Sequence, residues 1–276
     1  MHTPAAIAVL PARFASTRLP GKPLLDRTGK PLIQHVVERA VHASSIQRVV
    51  VATDDERIRD AVLAFQGEVV MTSTEHPNGT SRIAEALTLL RPAPPDDAVV
   101  VNVQGDEPEI DPSIIDRLVD ALDRDRDAPM ATLGSSFADE EDPANPNLVK
   151  VVTTAADPRR ALYFSRSPIP YVRSSAKPSG AAERNPHAVA ERISGGEAAG
   201  PSLPLKHVGL YAYRSDFLPR YAALPPTPLE QAEQLEQVRA LEHGYAIAIR
   251  TVHAPHPGID TPEQYEAFVK RYLAGQ

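Results

Sequence analysis

The stretch AIAVLPARFASTRLPGKPL, residues 6–24, decides how the rest of the chain is read. Ala6–Leu10 is a short apolar run that predicts a buried strand, bounded by Pro11. The segment after it, PARFASTRLPGKPL, carries three prolines and Gly21, so it forms neither a helix nor a central strand. A strand that runs into a long punctuated loop is the start of a βα unit, and the sequence repeats the pattern. Pro31 opens a helix with Leu32, His35/Val36 and Arg39/Ala40 at helical spacing. Arg48–Ala52 reads as a second strand, and Asp54 or Asp55 caps a helix reaching Ala64. Gly67–Thr72, Gly79–Leu90, Ala98–Val103 and a helix opened by Pro112 continue as strand, helix, strand, helix. Such alternation predicts an α/β fold with a mainly parallel sheet. Ligands of these sheets bind beyond the carboxyl ends of the strands. Three unusual loops follow predicted strands: PARFASTRLPGK after the first, ATD after the second and QGDEP after the fourth.

The middle of the chain changes character. Met130–Ser135, Leu148–Thr153, Leu162–Ser165 and Lys206–Arg214 read as strands with fewer helices between them. Ser174–Pro204 is rich in Ser, Pro, Gly and Ala and reads as a mobile loop. Asp216–Leu224 and Leu229–His243 are expected as helices, Tyr245–Val252 as a strand, and Thr261 as the cap of a last helix. The expected organisation is one domain over 1–276. Residues 1–129 and 239–276 form its core, and 130–238 form a smaller lobe that carries the mobile loop at 174–204.

Composition bounds the function. The chain has 276 residues, 42% of them hydrophobic, enough to bury a substantial core. It has no cysteine, which excludes disulfides, thiolate catalysis and cysteine–zinc sites. The formal net charge of -7 argues against bulk nucleic-acid binding. No stretch reaches the length of a membrane span and no signal sequence is evident, so a cytoplasmic protein without membrane insertion is expected.

Within this acidic chain, Arg13, Arg18 and Lys22 cluster in one loop. A small anionic ligand or a solvated charged loop both account for that. Arg forks two phosphate oxygens, Lys supplies a compact charge, and Gly21 permits close backbone approach. The loop is neither a Walker sequence nor G-x-G-x-x-G, so a dinucleotide cofactor, and with it a dehydrogenase, is poorly supported. Asp106, at the end of a strand, suits a divalent cation that bridges phosphates, or a turn closed on its own backbone. Glu107 reads as its solvated neighbour. Asp260 precedes Thr-Pro-Glu and reads as part of a helix start. His76, Asn78, Gly79, Thr80 and Arg82 precede or open a helix, where amides favour anions or carbonyl oxygens. His207 and Tyr211 alternate on one strand and fit a pocket wall or a structural role. Arg166 ends a strand, where it can bind a carboxylate. Glu236 and Gln237 lie in a charged helix whose side chains are mostly of the surface type.

Taken together and in order, PARFASTRLPGKPL, ATD, HPNGTSR, VNVQGDEP, NPNLVKVV, ALYFSRSPIP, KHVGLYAYR, PTPLEQAEQLEQVRAL and GIDTP resemble the 3-deoxy-manno-octulosonate cytidylyltransferases (CMP-KDO synthetases) over nearly the whole chain. The loop alone is shared in looser form with CMP-sialic acid synthetases. The resemblance implies a Rossmann-like nucleotidyltransferase fold and a homodimer whose smaller lobe serves sugar binding and dimerisation. It implies transfer of CMP from CTP to the sugar acid, with release of pyrophosphate, for lipopolysaccharide biosynthesis. It also implies Arg13, Ser16, Arg18 and Lys22 around the triphosphate, and Gly79, Thr80 and Arg82 around cytidine. Gln104, Arg166, His207, Tyr211, Glu236 and Gln237 fall on the sugar-acid side, and Asp106 and Asp260 become magnesium ligands, against the helix-start reading of Asp260. Arg13, Lys22 and Asp106 are the implied catalytic residues. The segment 174–204 is longer than the connection usual in the family. The other readings are a cytidylyltransferase for sialic acid and a non-catalytic nucleotide-binding sensor; a sensor should lack the loop lysine or the metal carboxylate, and this chain has both.

Overall fold

The computed structural model describes residues 5–15, 19–171, 204–253 and 258–275. Ser16, Arg18 and all but Pro204 of the segment 174–204 lie outside the described residues. The chain divides into two compact units. The first takes residues 1–123, 210–223 and 255–276, and the second takes 124–209 and 224–254. These boundaries differ from the expected ones. Leu210–Ala223 joins the first unit, and the helix and strand between 236 and 252 join the second.

The first unit is built on strands β1 (Ala6–Ala12), β2 (Ile46–Thr53), β3 (Glu68–Met71) and β4 (Val99–Asn102), in the order β3-β2-β1-β4 and all parallel. The chain half of β8 (Leu205–Arg214) that belongs to this unit pairs antiparallel with β4, from Asn102↔Tyr211 to Val99↔Arg214. Parallel strands covered on both faces read as near-continuous apolar runs. Val9, Leu10, Val50, Val51, Val100 and Val101 are accordingly fully buried. Helices α1 (Leu32–Val41), α2 (Glu56–Ala64), α3 (Gly79–Leu89) and α4 (Pro112–Arg124) connect or follow these strands. Asp55, rather than Asp54, caps α2 by accepting from the Arg57 amide at 2.9 Å.

Strand β1 runs on through Pro11 instead of stopping before it. The Val9 carbonyl accepts from Val103 on the β4 side. Pro11, two residues on, faces that same side, beyond the last β1–β4 pair at Val9↔Asn102, so no ladder donor is missed. After α5 (Leu218–Ala223), the unit closes with the last helix, α8 (Pro262–Ala274). Thr261 caps it as expected, in a capping box with Gln264. Tyr265, Phe268 and Val269 of this helix pack with Leu32 of α1, Ile259 and Leu19 of the first loop in one buried cluster.

In the second unit, β5 (Met130–Ser135) pairs in parallel with β9 (Ile247–Val252). Strand β7 (Arg159–Ser165) runs antiparallel to β9 and to β6 (Lys150–Thr153), and β6 pairs with the start of β8 at Lys150↔Lys206. With β5 beside β8, the pairings form a circuit, β8-β5-β9-β7-β6-β8, in which each strand has two neighbours. The expected helix over 229–243 is two helices, α6 (Pro228–Glu233) and α7 (Glu236–Glu242). Gln234 between them has φ 53°, the left-handed region that ends a helix.

Candidate active site

Three loops of the first unit meet at a cleft of about 760 Å³. The loop after β1 brings Arg13 and Lys22, the segment before α3 brings His76 to Gly79, and the turn after β4 brings Gln104 to Asp106. Arg82 and Asp260 complete the lining. The alternation of strand and helix put the first and third of these loops at carboxyl ends of parallel strands, where such sheets place ligands.

The first loop turns at Gly21, whose φ of 67° suits a residue without Cβ. An added Cβ there would also meet the Phe14 ring at 3.1 Å. Gly21 N donates to the Phe14 carbonyl at 3.1 Å, and the Arg57 guanidinium lies 3.4 Å above the centre of that ring. The loop is thus tied to α2 by Phe14 and to α8 by Leu19. Lys22 starts the short helical turn that follows.

The Lys22 ammonium donates to Asp106 Oδ2 at 3.0 Å, to Asp260 Oδ1 at 3.2 Å and to the Ile259 carbonyl at 2.8 Å. Ile259 N in turn donates to the Asp106 carbonyl at 2.8 Å. The backbone of Ile259 therefore holds residue 260 against residue 106, and one cation is shared by two carboxylates. Asp260 lies just outside the helix cap, since Thr261 does the capping. Its carboxylate is engaged in the cleft, beyond the helix-start role read from local sequence.

Glu107 departs from the expectation of a solvated neighbour. Its Oε2 is buried without a hydrogen-bond partner. Burial, and then the charge of Asp106, push its carboxyl up to about 8. The pocket wall before α3 is also well fixed. Asn78 accepts from Ser81 N at 2.9 Å, and His76 is bonded to Ser81 and to the Glu85 carboxylate. Arg82 is 4% exposed and donates to Asp54 and to Thr72, each at 2.7 Å. Thr80 is buried on the first turn of α3. Neither the Asp54–Arg82 pair nor the His76–Glu85 pair was evident from sequence. The ATD segment after the second strand was the one signal for Asp54.

Of the other expected residues, Tyr211 lies on β8 in the first unit, stacked against Tyr213. Arg166, His207, Glu236 and Gln237 lie in the second unit. The Arg166 guanidinium donates to the carbonyls of Glu233 (2.7 Å), Pro146 (3.0 Å) and Gln234 (3.3 Å). His207 meets Thr132 Oγ1 at 3.0 Å and stands edge-on to Phe164, and burial pushes its imidazole down to about 3, so it is neutral at physiological pH. Glu236 is exposed at the start of α7, and Gln237 is 3% exposed with its Nε2 unpartnered.

A cationic cleft at the ends of parallel strands, with a carboxylate pair at its edge and no glycine-rich dinucleotide loop, defines a nucleotidyltransferase-type site. The cytidylyltransferase family pattern matches residues 7–249. A 3-deoxy-manno-octulosonate cytidylyltransferase from Idiomarina loihiensis is 49% identical over 268 residues, covering 97% of both chains. Another from Syntrophobacter fumaroxidans is 46% identical over 263 residues, covering 95% of both. The solved structure of CMP:2-keto-3-deoxy-manno-octonic acid synthetase complexed with CTP matches with a TM-score of 0.81 and 41% identity, over 99% of this chain and 100% of that one. A 4-diphosphocytidyl-2C-methyl-D-erythritol synthase, at 12% identity and a TM-score of 0.59, shares the fold alone. The chain belongs to the cytidylyltransferase family and, within it, to the 3-deoxy-manno-octulosonate cytidylyltransferases. Among the described residues, no helix is long and apolar enough to cross a membrane.

Proposed function

We propose that this chain transfers CMP from CTP to 3-deoxy-D-manno-octulosonate, releasing pyrophosphate, and so supplies the activated sugar acid for lipopolysaccharide biosynthesis. The convergence of Lys22, Asp106 and Asp260 at the strand-end cleft carries this reading. The names of the relatives supply the two substrates. A cytoplasmic homodimer is part of the same proposal, on the motif resemblance alone.

In this reading the anomeric hydroxyl of the sugar attacks the α-phosphorus and gives its proton to solvent, and the bond to the β-phosphate breaks with its electrons leaving on pyrophosphate. The chain forms no covalent bond; it positions the reactants and offsets charge. Arg13, Ser16, Arg18 and Lys22 hold the triphosphate. Gly79, Thr80 and Arg82 frame cytidine, with Asp54 holding Arg82 in place. Gln104, Arg166, His207, Tyr211, Glu236 and Gln237 serve the sugar acid. Two hard carboxylates that already share one cation are a donor set suited to magnesium, which keeps several waters and bridges phosphates. Asp106 and Asp260 would hold it, and the chemistry it would supply there is polarisation of the α-phosphoryl oxygen. Lys22 offsets the charge that grows as pyrophosphate separates.

A pyrophosphate-release assay over a matrix of nucleotides and sugar acids tests the assignment. CTP with magnesium and octulosonate is expected to turn over far faster than ATP or GTP. Equal use of ATP would refute the cytidine reading. Preference for sialic acid would move the enzyme to the other sugar, and no release with any pair would leave a nucleotide sensor.

A further inference from the structure

The ammonium of Lys22 has three N–H groups, and all three are spent: on Asp106, on Asp260 and on the Ile259 carbonyl. In this state the lysine has no donor left for a phosphate. The oxygens it bonds belong to the two carboxylates suited to a divalent cation. One positive charge therefore stands where the proposed enzyme needs a larger one. The backbone on either side of the lysine is fixed, before it by the left-handed turn at Gly21 and by Leu19 in the core cluster, and after it by Leu25 packed against that cluster. The side chain lines the open cleft.

We propose that Lys22 is a placeholder cation for the Asp106–Asp260 pair. It offsets the mutual repulsion of the two carboxylates while no metal is bound. A divalent cation that takes those oxygens displaces it, and the displacement frees its N–H groups to meet the triphosphate. Lysine and metal therefore compete for the carboxylates of the free protein, although both serve the same reaction. This rests on the cytidylyltransferase reading for its purpose, but the competition itself is a property of the free protein.

The sign of one measurement tests it. Manganese binding to the nucleotide-free protein is followed by electron paramagnetic resonance in the wild type and in Lys22→Met, which keeps bulk and removes charge. Removing a unit charge a few ångströms from the site should tighten manganese binding by about tenfold or more. If the lysine merely propped up the site, its loss would weaken binding, so equal or weaker affinity in Lys22→Met overturns the proposal. A second measurement needs no variant. Acetylation of Lys22 in the wild type, read by mass spectrometry, should speed up when manganese alone is added, and an unchanged rate also overturns it. Pyrophosphate release by the wild type is measured in parallel. Tighter manganese binding without any turnover would refute the enzymatic reading and leave the competition standing.

Discussion

The cleft of the first unit and the lobe of the second carry similar polar residues and use them differently. In the cleft, Arg13 is exposed and Lys22 shares its charge with carboxylates that themselves border open space. In the second unit, Arg166 serves three backbone carbonyls, and Lys150 is fully buried, donating to the carbonyls of Asn145 and Arg166. His207 is half-buried and neutral. The first region keeps charge at an open cleft. The second spends charge on its own backbone, above all on the turn at Gln234 from which Glu236 and Gln237 emerge.

The contrast is open to direct attack. Asp106→Asn and Asp260→Asn remove one charge each from the cleft and keep side-chain size. Each should cut turnover a hundredfold or more, about 3 kcal/mol or above, and blunt the magnesium dependence. Neither should move the melting temperature much, because Thr261 rather than Asp260 caps the last helix. Near-normal turnover of Asp260→Asn across a magnesium titration would return that residue to the helix start. Lys22→Ala should cost about 3 kcal/mol of transition-state stabilisation, roughly a hundredfold in turnover, in a protein that still melts cooperatively. Wild-type turnover would place the anion site elsewhere.

In the second unit the balance should reverse. Arg166→Lys loses the planar fork that spans three carbonyls, and leaving some of them unmet should lower stability by about 1–3 kcal/mol, read by denaturant titration. The KM for the sugar acid should rise with it, since the turn before Glu236 loosens. A variant as stable as the wild type with only a raised KM would make Arg166 a ligand rather than an anchor of that turn. The smallest effect concerns Glu107. Its folded pKa is raised, so its contribution to stability is complete below the ordinary carboxylate range and is lost as pH rises through about 8. In metal-free buffer, Glu107→Gln should therefore gain on the wild type as the pH rises from about 5 to about 9. Parallel stability profiles for the two proteins would show that Glu107 is solvated after all.

Much of the first unit was legible because local chemistry dictated it. Strands buried on both faces left unbroken apolar runs, and Pro31, Pro112, Asp55 and Thr261 marked helix starts within one or two residues. The break in the helix at 229–243 was hidden, because glutamine is a helix former and its positive φ at Gln234 is supported by contacts from elsewhere in the second unit, among them Arg166. Local spacing gave Asp260 to the helix start. The partner that draws it into the cleft, Lys22, is 238 residues away, and only the family resemblance linked them. Asp54 and Arg82, 28 residues apart, were read singly for the same reason. Burial of Glu107 depends on what packs over the strand-end turn, which a neighbouring carboxylate in the sequence does not reveal.

The order in which the cleft is assembled has a consequence for how the protein is made. Its loops after β1 and β4 leave the ribosome early, whereas Ile259 and Asp260, which complete the cation pair, follow about 150 residues after Asp106. Closing contacts of such long sequence separation is slow, and synthesis proceeds at about 5–20 residues per second. A nascent chain thus spends many seconds with Lys22 and Asp106 in hand and no second carboxylate. Any chain that stops short of residue 260 lacks the second carboxylate that meets Lys22, so translation that aborts late leaves the lysine with Asp106 alone.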